Sequence, residues 1–339
     1  MKGMKPEADN AAMVMDLYEM TMANGYFLEP ELLNTKVAFD VFFRRIPDDG
    51  GFAVFAGLEQ IVEYITNLHF DKDDVDFLRS LNLYSEEFLN YLETFSFHGD
   101  VYAFEEGTVI YPNEPVITIV ANIVEAQIVE TEILAQFNHQ SLIATKAQRV
   151  VHAAEGRIVS DFGARRAHNN DAAVYGARAC AIGGVNGTAT VLAGQKFAIP
   201  VSGTMAHSWV QMFDSEYDAF EHYCRTYPTN ATLLVDTFDT LRSGVPNAIR
   251  AFNNVLKPMG ITKCGIRLDS GDMAYLTQRA REMLDEAGWT ECKITVSNSL
   301  DERLIRDLIR QGAKIDSFGV GERLITSKSS PVFGGVYKL

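Results

Sequence analysis

Apolar residues in the first part of the chain recur at spacings that predict both helices and strands. Helical spacing is found over residues 13–26 and again over 57–95, whereas the aromatic and β-branched run at 36–43 predicts a strand. Short β-rich pieces broken by turn residues occupy 101–129 and predict a small antiparallel sheet or sandwich. A long amphipathic helix is expected over 129–155.

From about residue 157 the pattern changes to a regular alternation of short apolar strands and amphipathic helices. The predicted strands cover residues 157–161, 199–202, 232–236, 264–269, 293–297 and 314–318. One intervening helix is expected over 273–287, and another begins where Ser299 and Glu302 have capping-box spacing. Repeated βα units imply a parallel sheet, either open or closed into a barrel. The last residues, 334–339, look like the opening of a further strand.

Composition and charge exclude several classes of protein. The 339 residues are 47% hydrophobic and 22% charged, which excludes a disordered or collagen-like chain. The formal net charge of −15 argues against nucleic acid as a partner, because a phosphate backbone would be repelled. No apolar stretch approaches the ~20 residues that a membrane span needs. Residues 1–10 are polar and lack the apolar core of a signal peptide.

The cysteines point to a reducing compartment. The sequence has four of them, Cys180, Cys224, Cys264 and Cys292, and they are widely spaced with no CxxC pair. This spacing predicts buried, reduced thiols in a cytoplasmic protein.

Charged, polar and glycine residues collect where the predicted parallel strands end. They occupy residues 161–166, 202–208, 236–239, 267–272, 297–299 and 318–321. In parallel α/β sheets and barrels the chemistry takes place at these carboxyl ends. A single Asp or Ser there is commonly only a helix cap, but capping alone hardly explains six consecutive strand ends.

The residue types at these ends suit a phosphorylated sugar with a second phosphate group. The glycines of 318–321 offer backbone N–H groups to a phosphate, although Leu324 stands where a dinucleotide motif would have a third glycine. Arginines could bind anionic oxygens, carboxylates could hold Mg²⁺ or ribose hydroxyls, and His207 follows a Gly-Thr turn. The arginines and carboxylates are Arg165, Arg166, Arg267, Asp236, Asp269 and Asp272. Proton, phosphoryl or glycosyl transfer would all be compatible with such a site.

Taken together, these motifs resemble those of the nicotinate phosphoribosyltransferase family. They are Leu17-Tyr18 with Met20-Thr21-Met22, Phe162-Gly-Ala-Arg165-Arg166, Gly203-Thr-Met-Ala-His207-Ser, Arg267-Leu-Asp269-Ser-Gly-Asp272, Phe318-Gly-Val-Gly321 and the terminal Gly-Gly-Val-Tyr-Lys-Leu339. The resemblance implies an irregular, TIM-like parallel α/β barrel over 131–332. Beside it, residues 1–130 would form a mixed α/β domain with a small antiparallel sheet, which the strand near 333–339 could rejoin. It also implies a homodimer whose active sites are shared between subunits.

The reaction that the resemblance implies is the entry of nicotinate into NAD salvage. Nicotinate and phosphoribosyl diphosphate, with ATP hydrolysis and Mg²⁺, would give nicotinate mononucleotide, diphosphate, ADP and phosphate. Such an enzyme is formally a C–N ligase and mechanistically a pentosyltransferase. Breaking the anomeric C–O bond builds oxocarbenium character, so arginine and Mg²⁺ would have to stabilise the departing diphosphate.

The resemblance also implies roles for individual residues. The catalytic ones are His207, Asp236 and Asp269: the family's matching histidine is transiently phosphorylated by ATP, and a carboxylate placed like Asp236 hydrogen-bonds it. Mg²⁺ could lie near Asp269 and Asp272. The implied substrate-binding residues are Tyr18 of the other subunit and Phe162 around the pyridine, Arg165 and Arg267 at the diphosphate and the pyridine acid, Thr204 near the nicotinate, and Asn298, Gly319, Gly321 and Thr326 in the 5′-phosphate and ribose region.

The sequence departs from the family pattern at two places. Glu322 stands where many relatives have Thr, and the family's usual C-terminal region beyond Leu339 is expected to be missing.

Three alternative functions remain open from the sequence. A nicotinamide or quinolinate phosphoribosyltransferase of the same fold is the first alternative. A binding or regulatory protein that kept the fold without catalysis is the second. The third is a phosphosugar aldolase or isomerase, which would usually need a lysine or glutamate at a strand end.

Overall fold

The computed structural model of the protein describes residues 11–339, so the polar start predicted for residues 1–10 lies outside the described part. The described chain forms two compact units. The first contains the residues up to Thr145 together with Ser330–Leu339, and the second is Lys146–Ser329. The sequence predicts a domain boundary between residues 130 and 131. The division into compact units does not test that boundary, which stays a prediction.

The first unit is a mixed α/β structure. Its helices are α1 (Leu17–Leu28), α2 (Pro30–Leu33), α3 (Leu58–Asn67), α4 (Lys72–Ser80), α5 (Glu86–Leu92), α6 (Ile123–Ile128) and α7 (Glu130–Ala153). The division between the two units falls within α7, after Thr145. Its strands are β1 (Lys36–Phe43), β2 (Ala53–Val54), β3 (Asp100–Ala103), β4 (Val109–Ile110), β5 (Ile117–Asn122) and the C-terminal strand (Gly335–Lys338).

A four-stranded antiparallel sheet organises this unit, in the order C-terminal strand, β1, β5, β3. The last strand of the chain therefore pairs with the first, with Asp40 opposite Lys338. Alternate residues of β5 are buried, as expected for a sheet with one face on the core. Stacked aromatic pairs such as Phe39 and Tyr337, whose ring centroids are 4.5 Å apart, fill that core. Each such buried side chain contributes about 1.5–3 kcal/mol of hydrophobic stabilisation.

The second unit is built on a six-stranded parallel sheet. Its strands are β6 (Ile158–Asp161), β7 (Gly187–Thr188), β8 (Thr232–Leu234), β9 (Gly265–Leu268), β10 (Lys293–Val296) and β11 (Ser317–Val320), in the spatial order β7-β6-β11-β10-β9-β8. Its helices are α8 (Asn170–Ile182), α9 (Val191–Phe197), α10 (His207–Gln211), α11 (Glu216–Thr226), α12 (Val245–Ala251), α13 (Met273–Glu286), α14 (Glu302–Arg310) and α15 (Glu322–Ile325). Two π-helical turns, Thr240–Gly244 and Phe252–Leu256, flank α12.

The fold class predicted from the sequence is confirmed. The parallel strands alternate with helices, and all six strands run with their carboxyl ends at one edge. The sheet is irregular because β7 has only two residues and because the segment beyond it joins through a single bridge between Thr188 and Val201.

Three strand predictions were wrong in detail. Residues 199–202 form no strand beyond that bridge, since Pro200 has no N–H to donate to a ladder. The β-rich stretch ends at Asn122, whose side chain accepts a hydrogen bond from Glu125 N at 2.9 Å and starts α6. The final predicted strand also lies later than expected, at Ser317–Val320.

The helix that follows β10 starts differently from the prediction. Its N-cap is Asp301, whose Oδ1 accepts from Arg303 N at 3.1 Å and Leu304 N at 2.8 Å. Ser299 and Glu302 therefore do not form the expected capping box. None of the helices in residues 11–339 combines the length and the apolar character that crossing a membrane requires. All four cysteines are free and buried, as predicted.

Candidate active site

A cavity of about 380 Å³ lies at the carboxyl ends of the parallel strands in the second unit. Its walls come from the turns after β6, β7, β9, β10 and β11 and from the loop that leads into α10. The lining residues are Phe162, Arg165, Arg166, Ala189, Gly203, Thr204, Met205, Ala206, His207, Arg267, Asp269, Ser297, Asn298, Ser299, Gly319, Gly321 and Glu322. Most of the residues predicted for the site from the sequence are therefore brought together.

The ring of Phe162 is supported by glycine backbone. Phe162 N donates to Val320 O at 2.8 Å, which joins the turn after β6 to β11. A Cβ on Gly319 would stand 2.4 Å from the Phe162 ring, and one on Gly321 would stand 3.2 Å from its carbonyl oxygen. Gly319 thus lets the aromatic ring lie directly on the β11 backbone at the cavity wall, and Gly321 lets the backbone of Phe162 approach the residue after that strand.

Asp161 holds the turn that carries Phe162. This last residue of β6 is fully buried. Its Oδ1 accepts from Gly163 N at 2.8 Å, and its Oδ2 accepts from Thr188 Oγ1 at 2.8 Å. Burial raises the pKa of Asp161, and the two hydrogen bonds oppose that rise. Because Thr188 precedes Ala189, one carboxyl group ties together two sides of the cavity.

The cavity carries positive charge although the protein as a whole is acidic. Arg165, Arg166 and Arg267 line it, against the carboxylates of Asp269 and Glu322. Glu322 is moreover paired with Lys328, whose Nζ lies 2.6 Å from Oε1 and holds the pKa of Glu322 below its usual range. The acidic residue that follows Gly321 is thereby neutralised locally, and the arginines remain available to an anion.

Arg267 is held in place by a neighbouring side chain. Its Nη1 donates to Thr204 Oγ1, while its Nε is a buried atom without a hydrogen-bond partner among residues 11–339. Burial lowers the pKa of the guanidinium, Asp269 and Asp236 oppose this, and Arg165 adds to it. Arginine stays protonated in proteins, so the result is a partly buried cation whose Nε–H remains available within the described structure.

His207 is the first residue of α10, and its ring bridges two neighbouring strand ends. Its Nδ1 lies 3.1 Å from Thr237 Oγ1, and its Nε2 lies 4.0 Å from Asp269 Oδ2. Asp236, the carboxylate expected to bond the histidine, instead accepts from Asp269 N at 2.8 Å and from Ser270 Oγ at 2.6 Å. The structure thus corrects that expectation: the hydroxyl group of Thr237, the residue after Asp236, is the hydrogen-bond partner of His207.

Asp269 connects β9 to β10 at the cavity. Its Oδ1 accepts from Ser297 Oγ, the residue before Asn298. Asn298 and Ser299 have φ angles of 87° and 46°, in the left-handed region that asparagine tolerates best among non-glycine residues. This tight turn brings the backbone of 297–299 to the cavity wall.

The carboxylates and the histidine near the cavity do not form a metal centre by themselves. Within residues 11–339, no three His, Cys, Asp or Glu side chains are arranged to hold a metal ion. Asp272 caps α13 by accepting from Tyr275 N at 3.1 Å and is not part of the cavity lining. Asp269 remains as one cavity carboxylate, which fits a Mg²⁺ ion that is bound mainly by substrate phosphates.

Two other predicted residues lie elsewhere. Thr326 Oγ1 donates to Glu322 O at 2.7 Å, within the turn of α15, and does not line the cavity. Tyr18 belongs to the first unit, where its ring is 44% exposed and its hydroxyl donates to Glu130 Oε1 at 2.8 Å. Burial of the hydroxyl and its bond to Glu130 raise the pKa of Tyr18.

Comparison with known proteins decides the family. Residues 13–138 match the nicotinate phosphoribosyltransferase N-terminal domain, and residues 158–332 match the nicotinate phosphoribosyltransferase family. The chain belongs to the nicotinate phosphoribosyltransferase family. The two matched segments together take in most of the sequence, including every strand end that borders the cavity.

Individual family members agree. The chain is 48% identical to nicotinate phosphoribosyltransferase of Bacillus subtilis over 333 residues, which is 98% of this chain and 67% of that protein. It is 45% identical to nicotinate phosphoribosyltransferase pncB2 of Mycobacterium tuberculosis, covering 97% of this chain and 70% of the relative. The crystal structure of human nicotinic acid phosphoribosyltransferase superposes with a TM-score of 0.84 at 28% identity, covering 96% of this chain and 74% of the human one.

Sequence reasoning missed some residues of this nicotinate phosphoribosyltransferase site. Thr237, Ser297 and Asp161 each hold another site residue, yet they were noted only as parts of strand ends. The available signal was their position, since each directly precedes or follows a named candidate in the sequence. Which of two neighbours faces the site depends on strand register, which a local pattern does not define.

Proposed function

We propose that the protein transfers the phosphoribosyl group of phosphoribosyl diphosphate to nicotinate and couples this transfer to ATP hydrolysis. The observation that carries the proposal is one cavity that combines an aromatic wall at Phe162, the partly buried cation of Arg267 and the imidazole of His207. A flat pyridine acid needs the first two, and phosphoryl capture from ATP needs the third.

The transfer itself needs positioning and charge stabilisation. The pyridine nitrogen forms the new bond to the anomeric carbon while the C–O bond to diphosphate breaks, and the diphosphate leaves with the electron pair. Arg165 and Arg267 stabilise the departing charge and the carboxylate of nicotinate. Mg²⁺, when bound to the diphosphate, supplies Lewis-acid stabilisation of the leaving group, and Asp269 is the cavity carboxylate that would hold it. Asn298, Gly319 and Gly321 border the position expected for the 5′-phosphate and ribose.

ATP coupling is assigned to His207. His207 lies beside Asp269 and lines the same cavity as the arginines, so a phosphoryl group on the ring would add negative charge to the cavity proposed to bind the diphosphate. Hydrolysis of that group could then be linked to product release. With labelled ATP we expect an acid-labile, base-stable label that disappears in His207→Asn, and a label that persists in the variant would contradict the assignment.

Subunit organisation and location complete the proposal. We propose a cytoplasmic homodimer in which Tyr18 of one subunit reaches the pyridine bound by the other. The exposure of Tyr18 supports its contact with a second subunit. The free, buried state of all four cysteines supports a reducing, cytoplasmic location.

A direct assay tests the proposal against its same-fold alternatives. Product formation from phosphoribosyl diphosphate is measured with nicotinate, nicotinamide and quinolinate, each with and without ATP. We expect nicotinate to be strongly preferred and ATP to increase its use. Equal use of nicotinamide, or a preference for quinolinate, would support the corresponding alternative, and no product from any acceptor would favour a binding protein.

A further inference from the structure

The two nitrogens of His207 face different surroundings. Nε2 is on the side of Asp269, which lines the cavity together with His207 itself. Nδ1 is 3.1 Å from Thr237 Oγ1, and Thr237 is not part of the cavity lining. The ring therefore presents Nε2 towards the substrates and Nδ1 towards the strand end after β8.

The strand end that carries Thr237 is held on its β9 side. Val235 N donates to Arg267 O at 3.1 Å, continuing the β8–β9 ladder. The next residue, Asp236, is 8% exposed, and its Oδ2 accepts from Asp269 N and Ser270 Oγ. Oδ2 of Asp236 is taken up by β9, and its Oδ1 is buried without a hydrogen-bond partner among residues 11–339. The hydroxyl of Thr237 is therefore the group that meets the histidine.

A π-helical turn holds the same segment from the other side. Asp239 Oδ1 accepts from Leu241 N at 3.1 Å and from Arg242 N at 2.9 Å and so starts the turn Thr240–Gly244. A Cβ on Gly244 would stand 1.7 Å from Val235 O, so the turn presses directly on the β8 backbone. Thr237 lies between Asp236 and Asp239, both of which are held by hydrogen bonds, so its own position is fixed.

We propose that Thr237 is a positioning residue that accepts a hydrogen bond from Nδ1–H of His207 and thereby keeps the Nε2 lone pair free towards the cavity. Which nitrogen of a neutral imidazole carries the proton depends on the hydrogen bond that the other nitrogen makes. Asp269 Oδ2, at 4.0 Å from Nε2, is beyond hydrogen-bonding distance, so within residues 11–339 the bond between Nδ1 and Thr237 Oγ1 orients the ring. The inference rests on the proposed function of His207 as the residue that ATP phosphorylates.

The proposed step balances without a further reactant. Nε2 attacks the γ-phosphorus of ATP, the bond from that phosphorus to the bridging oxygen breaks, and ADP leaves with the electron pair. The ring then carries the phosphoryl group on Nε2 and its original proton on Nδ1, where Thr237 still accepts the hydrogen bond. Water later takes the phosphoryl group, releases a proton, and returns the electron pair to Nε2.

Two substitutions separate the hydroxyl group from its packing. Thr237→Val keeps the shape and removes the acceptor, whereas Thr237→Ser keeps the acceptor and removes a methyl group. Thr226→Val serves as the control, because Thr226 is exposed and its hydroxyl only donates to His222 O at 2.9 Å within α11. Thermal unfolding of all variants checks that they are folded.

The first measurement is independent of ATP. Long-range ¹⁵N–¹H spectra of protein with labelled histidine, assigned with His207→Asn, report which nitrogen of His207 is protonated. We expect the Nδ1–H form in the wild type, in Thr237→Ser and in Thr226→Val, and a shift towards the Nε2–H form in Thr237→Val. An unchanged tautomer in Thr237→Val would overturn the proposal.

The second measurement is the rate at which label from ATP appears on His207. We expect Thr237→Val to slow it by about 10- to 100-fold, the usual effect of losing a residue that orients a functional histidine. Thr237→Ser should retain most of the rate. A serine variant as slow as the valine variant would show that packing, and not the hydroxyl, matters. If the wild type takes no label, the coupling proposal fails, and the tautomer measurement still decides the role of Thr237.

Discussion

The ring of Phe162 occupies the space that a side chain at position 319 would need. An ideal Cβ on Gly319 would stand 2.4 Å from both Cδ2 and Cε2 of that ring, far inside van der Waals contact. The aromatic wall of the cavity therefore depends on a residue in a different strand that has no side chain.

We predict that Gly319→Ala displaces Phe162 and weakens nicotinate binding. Losing an aromatic contact of about 0.5–1.5 kcal/mol should raise the KM for nicotinate by up to about tenfold. Overpacking should also lower the unfolding free energy by about 1–3 kcal/mol. Gly203→Ala is the matched control, because Gly203 also lines the cavity but a Cβ there meets no atom within 4 Å. Equal KM values for the two variants would contradict the role of the contact.

Arg267 should be essential and not replaceable by lysine. Arg267→Ala removes a partly buried cation that would stabilise transition-state charge, so kcat/KM should fall by an amount equivalent to about 3–4 kcal/mol. Arg267→Lys should recover little, because the planar fork that binds two oxygens is lost. The exposed Arg303 provides a control, and Arg303→Ala should leave kcat/KM unchanged. Near-wild-type efficiency of Arg267→Ala would refute the assignment.

Ala189 is predicted to favour the acid over the amide. It lines the cavity and offers neither a negative charge to repel a carboxylate nor an acceptor for an amide N–H. We expect nicotinate to exceed nicotinamide in kcat/KM by at least roughly 10- to 100-fold. Ala189→Asp should narrow that gap chiefly by impairing nicotinate use, whereas the uncharged Ala189→Asn should do so less. Steady-state kinetics with both substrates measure the gap, and its persistence in Ala189→Asp would exclude this residue as the determinant.

A shared active site predicts complementation between inactive variants. Mixing Tyr18→Ala with His207→Ala under conditions of subunit exchange should restore part of the activity, because one site of each heterodimer then carries neither defect. Tyr18→Phe retains the ring and loses only the hydrogen bond to Glu130, so it should stay active by itself. No recovery despite proven exchange would mean that Tyr18 acts within its own chain or not at all.

The stability of the second unit should depend on pH through Asp301. Burial raises the pKa of Asp301, but bonds from Leu304 N and Arg323 outweigh it, and the net pKa is lowered. Because the folded-state pKa is below the unfolded one, the stabilisation is present above the unfolded pKa and is lost as pH falls through the folded pKa.

Asp301→Asn keeps a good N-cap but removes the ion pair with Arg323. The unfolding free energy at neutral pH should fall by about 0.5–1 kcal/mol. The unfolding free energy of the variant should also fall less steeply than that of the wild type as the pH drops below about 4. Urea unfolding as a function of pH measures both effects, and identical pH profiles for variant and wild type would contradict the prediction.

The sequence by itself determined the alternation of strands and helices after residue 157 and the collection of functional residues at strand ends. Both follow from local patterns, since apolar periodicity reports which face of an element is buried. The same local patterns pointed to Arg267, His207 and Gly319, all of which line the cavity. Ordered motifs along the chain were sufficient to indicate the family.

Only the tertiary structure decided which neighbours meet. It paired His207 with Thr237 instead of Asp236, and it removed Asp272 and Thr326 from the cavity by using them within their own helices. It also placed β11 beside β6, so that Gly319 supports Phe162. These contacts join residues far apart in sequence, and they depend on strand order and register. A shift of one residue would turn each side chain to the opposite face, so no local pattern defines them.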